Sequence, residues 1–403
     1  MIAEQLGVDH VLEGSVRQSR GRIRVTAQLI DADKDRHLLS QTFDRTLSVE
    51  NVLAIQQELA IAVARTLSAR LSASEIARLD ASGPATMSAM EHYLDGMYLL
   101  RRWELGDFNT QDPSVYFAAM DAFNASIDAD PTWAPSHAAL GRLHHFFMHL
   151  DKERQLQLAR AEIEESLRLD PEYGRSWVSL GYIESMVGNF AESMAAYDRA
   201  EALGARSSWG RAILYLQLAR FGAAVREYRD AAAHDPLSTP VKSQLALSLF
   251  CADRPQELLV ATEDLLRMDP APTQILALRA YALARIGEAQ QALSVLRRVV
   301  EETGTDEPVA GLLAMLGEEA RAQAVVDHAM GNRLWIHRVA AAATLGQPAR
   351  ALDIAEASLL PGREIDDHFD LSCFPQVRQL VGNTRYDALL ARLREAASLP
   401  DTP

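Results

Sequence analysis

Cysteine is nearly absent: Cys251 and Cys373 are the only two in 403 residues. They stand far apart and neither has a metal-ligand spacing, so a zinc ribbon and a disulfide-rich scaffold are excluded, and both are expected as buried free thiols. No apolar run reaches the ~18 residues of a membrane-spanning helix. The stretch from Met1 to Gln5 has neither the basic start nor the apolar core of a secretory leader. No glycine-rich loop is present that could cradle a phosphate. Cationic excess is missing as well, with 40 Lys and Arg against 55 Asp and Glu and a net charge of −15. Residues 1–80 hold 10 and 11 of these, so almost the whole deficit falls on residues 81–403. An array this acidic offers no phosphate-binding stripe. These absences predict a cytoplasmic chain whose partners are neither nucleic acid nor membrane.

What is present is apolar surface, 48% of the residues, with aromatics at only 6%. That balance suits close packing through small side chains. Four Asp-Pro steps punctuate it: Asp130 with Pro131, Asp170 with Pro171, Asp235 with Pro236, and Asp269 with Pro270. Each follows a short apolar segment at helical spacing, and proline stops that helix. The last two steps are 34 residues apart. Between them and around them a set of slots repeats, most completely as Trp177, Leu180, Gly181, Gly188, Phe190, Tyr197 and Ala200. Here Gly181 lets a second helix approach closely, Gly188 makes the turn, and Tyr197 with Ala200 bury that second helix. These slots and this period resemble the tetratricopeptide repeat. Phe221, Ala224 and Tyr228, then Gly287, Ala292 and Leu296, then Trp335, Gly346, Ala351 and Ala355 carry the pattern onward. The segment 307–330 is degenerate, although two helices can be drawn in it. Leu389, Leu390 and Leu393 read as a terminal helix capping the last apolar face.

The first eighty residues follow a different period. Ile23, Val25, Ala27 and Leu29 alternate with Arg22, Arg24, Thr26 and Gln28, which predicts a half-buried strand. A strand before it, from His10, turns at Ser19 to Gly21. A third strand, Leu38 to Phe43, follows a turn over Asp31 to Asp35. Val52, Ile55, Leu59, Val63, Leu67 and Leu71 then form an amphipathic helix for one face of the sheet. Leu6 to Arg17, Arg22 to Asp31, Asp44 with Arg45, and Ile55 to Glu58 are similar to the second half of the TolB/FlgO-like domain. That resemblance implies a strand, a helix and another strand ahead of Leu6, so the module is expected to be partial. It also implies a regulatory place beside an effector, as in class III adenylate cyclases and winged-helix regulators. Ala73 to Arg78 with Glu91 to Gly96 resembles the join in the cyclase-linked members.

Few constellations carry chemistry. His145 and His149 share a helix face beside His144 and Asp151, but no third metal ligand is fixed, and a helix face with ordinary histidines is expected. Ser15 lacks the glycine that a nucleophile elbow needs after it. Asp31, Asp33 and Asp35 begin like a calcium loop without its glycine or closing glutamate. Asn124 to Ser126 fits a glycosylation acceptor but lies inside a repeat helix.

The sequence thus predicts a mainly α fold: a tetratricopeptide-like α-solenoid of about seven helix pairs over 88–360, preceded by a small α/β module over 1–72 and a linker over 73–87. A capping helix and tail fill 361–403. No catalytic residue, cofactor or metal is predicted. A protein or peptide is expected in a concave groove lined by first helices, with Arg142, Glu184, Lys242, Gln244 and Arg279 as its candidate contacts. The open sheet edge is expected to pair with a second copy or with the absent segment. The competing expectation is the C-terminal part of a cyclase or winged-helix regulator whose effector lies upstream.

Overall fold

The computed structural model describes residues 8–32, 34–67, 83–105, 113–145, 152–267, 272–327, 335–359 and 364–396. The chain divides into two compact units, Met1–Ser179 and Leu180–Pro403.

The first unit opens with three antiparallel strands, β1 (His10–Ser19), β2 (Arg22–Asp31) and β3 (Arg36–Thr46), in the order β1-β2-β3. Arg20 and Gly21 both take positive φ, 50° and 72°, in the two-residue turn that pairs Ser19 with Arg22. Turns of that hand match the twist of the strands they join. The alternation in β2 puts Ile23, Ala27 and Leu29 inside, against helix α1 (Val49–Thr66), whose Ile55 is buried. Ser48 caps that helix by accepting from the Asn51 amide at 3.2 Å. Asp44 joins both Arg22 and Arg24 across the sheet. By contrast, β1 is exposed at every position but Val11, which is half-buried.

Helix pairs follow. In the first unit these are α2 (Met87–Leu105) with α3 (Pro113–Ala129) and α4 (Ala134–His145) with α5 (Lys152–Leu169). Leu100, Tyr116, Phe123, Leu140 and Leu143 form a core there. One buried contact is repeated forty residues on. Ser126 Oγ donates to the Ala89 carbonyl and meets Ser136 Oγ at 2.7 Å, and Ser166 Oγ donates to the Ala134 carbonyl and meets Ser176 Oγ at 2.7 Å. The Asp-Pro steps do more than stop a helix. Asp130 Oδ1 accepts from the Thr132 amide and Asp170 Oδ1 from the Glu172 amide, starting the next helix. Asp269 and Pro270 lie outside the described residues.

The unit boundary falls inside α6 (Gly174–Met186), which pairs with α7 (Phe190–Ala202). Five more pairs follow in the second unit: α8 (Ser208–Gln217) with α9 (Phe221–His234), α10 (Thr239–Cys251) with α11 (Pro255–Leu265), α12 (Thr273–Arg285) with α13 (Ala289–Thr303), α14 (Ala310–Met315) with α15 (Glu319–Asp327), and α16 (Trp335–Thr344) with α17 (Pro348–Ser358). With α2 and α3 counted, the described residues hold eight pairs, one more than about seven. The degenerate segment does contain two helices, α14 and α15.

One turn is reused in six pairs. Gly188, Ala219, Asp253, Gly287, Gly317 and Gly346 all have φ between 52° and 89°. After each, the next amide donates to the carbonyl five residues back: Asn189 to Glu184, Arg220 to Tyr215, Arg254 to Leu249, Glu288 to Leu283, Glu318 to Leu313, and Gln347 to Ala342. This is the Schellman closure, which satisfies a carbonyl the helix end would leave bare. At two of these six turns the left-handed residue carries a side chain. Asp253 gains from it, since its carboxylate accepts from Tyr281 Oη at 2.6 Å and from Arg285 Nη2 at 2.8 Å.

The chain end differs from the expected single cap. Helix α18 (Glu364–Cys373) precedes a 3-10 turn, Val377–Leu380, and then α19 (Thr384–Ala396). Only α19 caps the array, burying Tyr386, Leu389 and Leu393 in a core shared with Leu352 and Ala355 of α17. α18 instead lies against the first helices α8 and α10. That return path overturns the free-thiol expectation. Cys251 and Cys373 are disulfide-bonded, their Cα atoms 4.4 Å apart across 122 positions of sequence. Sequence distance hides the pairing, because only the fold brings the end of α18 to the end of α10.

Candidate partner-binding face

Close helix packing is clearest around Tyr197. Its side chain is fully buried. A Cβ on Gly181 would stand 2.7 Å from Tyr197 Cε1, and one on Gly210 would stand 2.7 Å from its hydroxyl oxygen. The ring is thus clamped between two backbones, Gly181 on α6 and Gly210 on α8. The repeat pattern pointed to Gly181. It gave no sign of Gly210, which belongs to the following pair.

The first helices of the second unit build a face. Leu247 and Phe250 of α10, Leu278 and Tyr281 of α12, Leu312 of α14 and Ile336 of α16 line a cavity of about 480 Å³. Its opposite wall is Phe369, Cys373 and Phe374, from α18 and the residue after it. The polar groups are few: Thr273, Gln274, His337, Asp370 and Gln376. A volume of this size with a mostly apolar lining and sparse polar groups is typical of ligand or side-chain anchoring pockets. Sequence spacing missed it, because its lining residues read only as core positions of separate helices.

The five predicted groove residues occupy other places. Lys242 pairs with Asp264 at 3.4 Å, and Arg279 Nη1 donates to the Leu259 carbonyl at 3.2 Å and to Thr262 Oγ1 at 3.4 Å. Both therefore converge on the second helix α11. Glu184 is buried and accepts from Asn189 Nδ2 at 2.7 Å, closing its own turn. Gln244 is half-buried, and its backbone carbonyl accepts from Ser248 Oγ. Arg142 is half-buried on α4 in the first unit.

The histidine cluster is built into the packing. Tyr116 Oη and His144 Nδ1 are hydrogen-bonded at 2.9 Å. Burial lowers the pKa of His144 and takes that of His145 down to about 3. His149 and Asp151 lie outside the described residues. His137 behaves oppositely, because its hydrogen bond to Glu162 raises its pKa. Among the described residues no group of three or more His, Cys, Asp or Glu side chains is placed to hold a metal. Asp31 is tied to Lys34 instead, and its pKa is held low by that bond. Also among the described residues, no helix is long and apolar enough to cross a membrane.

Stacked helix hairpins with one repeated turn, and glycines set against Phe123, Ile163 and Tyr197 of the following helices, define a helical-repeat protein of the interaction-scaffold class. Residues 147–208 match the tetratricopeptide repeat family model. A Rhizobium meliloti protein named provisionally as adenylate cyclase 3 is 31% identical over 142 residues, which is 34% of this chain and 22% of that protein. The chain thus matches about a fifth of that relative's length. Among solved structures, a tetratricopeptide repeat protein from Parabacteroides merdae aligns at 13% identity over 69% of this chain and 99% of its own, with a TM-score of 0.38. The tetratricopeptide domain of P58(IPK) aligns at 12% identity over 77% and 98%, with a TM-score of 0.23.

Proposed function

We propose that the chain is a non-catalytic scaffold that holds a protein or peptide segment on the first-helix face of its second unit, and that it serves as the regulatory part of a bacterial signalling system. The observation that carries the reading is the apolar cavity shared by α10, α12, α14 and α16. First helices from four successive pairs contribute to it, as a groove for an inserted helix or strand requires. Lys242, Gln244 and Arg279 then act by orienting α10 and α12, which form part of the groove, while Arg142 and Glu184 stand on helices outside it. The place of action is the cytoplasm, where an unlatched Cys251–Cys373 pair would be the reduced state.

The test is site-specific photo-crosslinking in the native host. A photoreactive residue at Gln274, exposed at the cavity, is expected to give one discrete protein adduct. The same residue at Val260, 72% exposed on the second helix α11, is expected to give none. Adducts of equal yield from both positions would sink the reading.

A second reading is favoured by the match to the cyclase-named relative. In it the sheet β1–β3 with α1 is the partial TolB/FlgO-like module, and the whole chain is the regulatory end of a longer cyclase or winged-helix regulator. The exposed strand β1 then offers its edge to the missing strands or to a second copy. The purified chain is expected to convert no ATP to cyclic AMP with Mg or Mn, and turnover would contradict both readings.

A further inference from the structure

The first-helix face of the second unit is not open. The segment from α18 to Leu380 crosses it, and the two sides of that segment do different things. One side is core: Leu371, Val377 and Leu380 are buried with α16, α17 and α19, and Tyr386 Oη donates to the Leu371 carbonyl at 3.0 Å. The other side reaches over the groove. The Phe374 ring meets Phe250 edge-on at 5.5 Å and His337 at 5.2 Å. The Arg378 guanidinium lies 5.7 Å over the Phe221 ring and donates to the Cys251 carbonyl. Beside them the disulfide joins α18 to α10.

This second side fits loosely. Gln376 Oε1 and Arg378 Nε are buried without a hydrogen-bond partner, although Gln376 Nε2 reaches Met315 Sδ at 3.4 Å. A cavity of about 480 Å³ remains between Phe369, Cys373 and Phe374 of the segment and the first helices. Buried orphan groups and unfilled volume both oppose docking. A covalent bond at the same place supplies the closure that the packing does not.

We propose that residues 369–378 are a redox-controlled clasp over the partner groove, and that opening it admits a partner segment of the chemistry the clasp now presents: an aromatic anchor for the space beside Phe250, and a cation that covers the Phe221 ring and donates to the Cys251 carbonyl. The inference rests on the scaffold reading above. The opening step is thiol–disulfide exchange with a dithiol reductant at Cys373, which lines the cavity. A reductant thiolate bonds to one cysteine sulfur as the S–S bond breaks, and the other cysteine leaves as a thiolate and takes up a proton. The second reductant thiol then displaces the first cysteine, so the protein gains two electrons and two protons and the reductant becomes a disulfide.

Hydroxyl-radical footprinting of the full chain reads the clasp directly, comparing the oxidised chain with the chain reduced by dithiothreitol and desalted without air. Phe250 and Phe374 are expected to become at least threefold more reactive on reduction, while Tyr197 and Tyr228 stay unchanged. Unchanged Phe250 and Phe374 would overturn the clasp. A parallel rise at Tyr197 and Tyr228 would also overturn it, because the bond would then be a general staple. The C251S/C373S double variant removes any dependence on reductant. A synthetic peptide of residues 368–380 is expected to bind this variant at least tenfold more tightly than the oxidised chain, and equal binding would overturn the proposal. Two alkylatable thiols in the unreduced, denatured chain would overturn it as well. Crosslinking from Gln274 remains a separate result: a partner captured there with the clasp immobile leaves the scaffold reading standing and removes this one.

Discussion

Strand β1 and helix α7 are elements of similar length with opposite fates. β1 leaves Leu12 and Val16 at 50% and 67% exposure, with no strand beyond it among the described residues. α7 buries Phe190, Ala196, Tyr197 and Ala200, and holds Tyr197 between two glycines. Each repeat helix has a neighbour on both sides, so it is stabilised by interfaces rather than by its own propensity. The strand has a neighbour on one side only. Stability is therefore expected to concentrate in the pairs and to thin out toward β1.

The strongest way to break that contrast is to empty the socket. Tyr197→Ala should lose about 3–5 kcal/mol, the cost of deleting a fully buried aromatic ring, and a urea midpoint within error of the parent would show the clamp to be unimportant. Filling the socket is the next effect in size. Gly181→Leu should cost about 1–3 kcal/mol, since the ring it meets is blocked by Gly210 on its far side. Stability equal to the parent would mean that Tyr197 can yield.

Acid provides a subtler probe. Burial lowers the pKa of His368, itself 5% exposed, and of half-buried His337 to about 4 each. Both are neutral in the fold and take up a proton more readily unfolded. Their contribution is complete above the unfolded value near 6.5 and is lost as pH falls from there toward 4. Between pH 7 and pH 5 each should cost about 1–2 kcal/mol. Urea midpoints at the two pH values read the slope, which His337→Phe should flatten. A midpoint that rises on acidification contradicts the sign. At the other end of the scale, Val16→Thr in β1 should stay within about 0.5 kcal/mol of the parent, and a loss near that of Gly181→Leu would show β1 to be covered.

Much of this architecture was legible because its causes are local. The period-two pattern at Ile23 to Leu29 gave the strand and its inner face. The tyrosine at Tyr197 and Tyr228, the glycine at Gly181 and the Asp-Pro steps gave the pairs. What stayed hidden depends on distance or on backbone alone. Ala219 and Asp253 occupy the same left-handed turn as Gly188, but no glycine marks them. Gly210 serves a ring thirteen positions earlier in the preceding pair. The Cys251–Cys373 bond and the return of α18 join segments that no periodicity relates. Residues chosen for their charge on first helices, such as Lys242 and Arg279, turn out to brace α11, because long polar side chains also reach neighbouring helices.

Amide hydrogen exchange on the intact full-length chain measures the contrast most directly, since it reports the local opening of every element in one experiment. The expected result is fast exchange along His10–Ser19 and protection at least a hundredfold greater in Phe190–Ala202 and Phe221–His234, in a sample whose oligomeric state is measured alongside. Uniformly slow exchange across residues 10–46 in a demonstrated monomer would contradict the account, because β1 would then be as well held as the helices that clamp Tyr197.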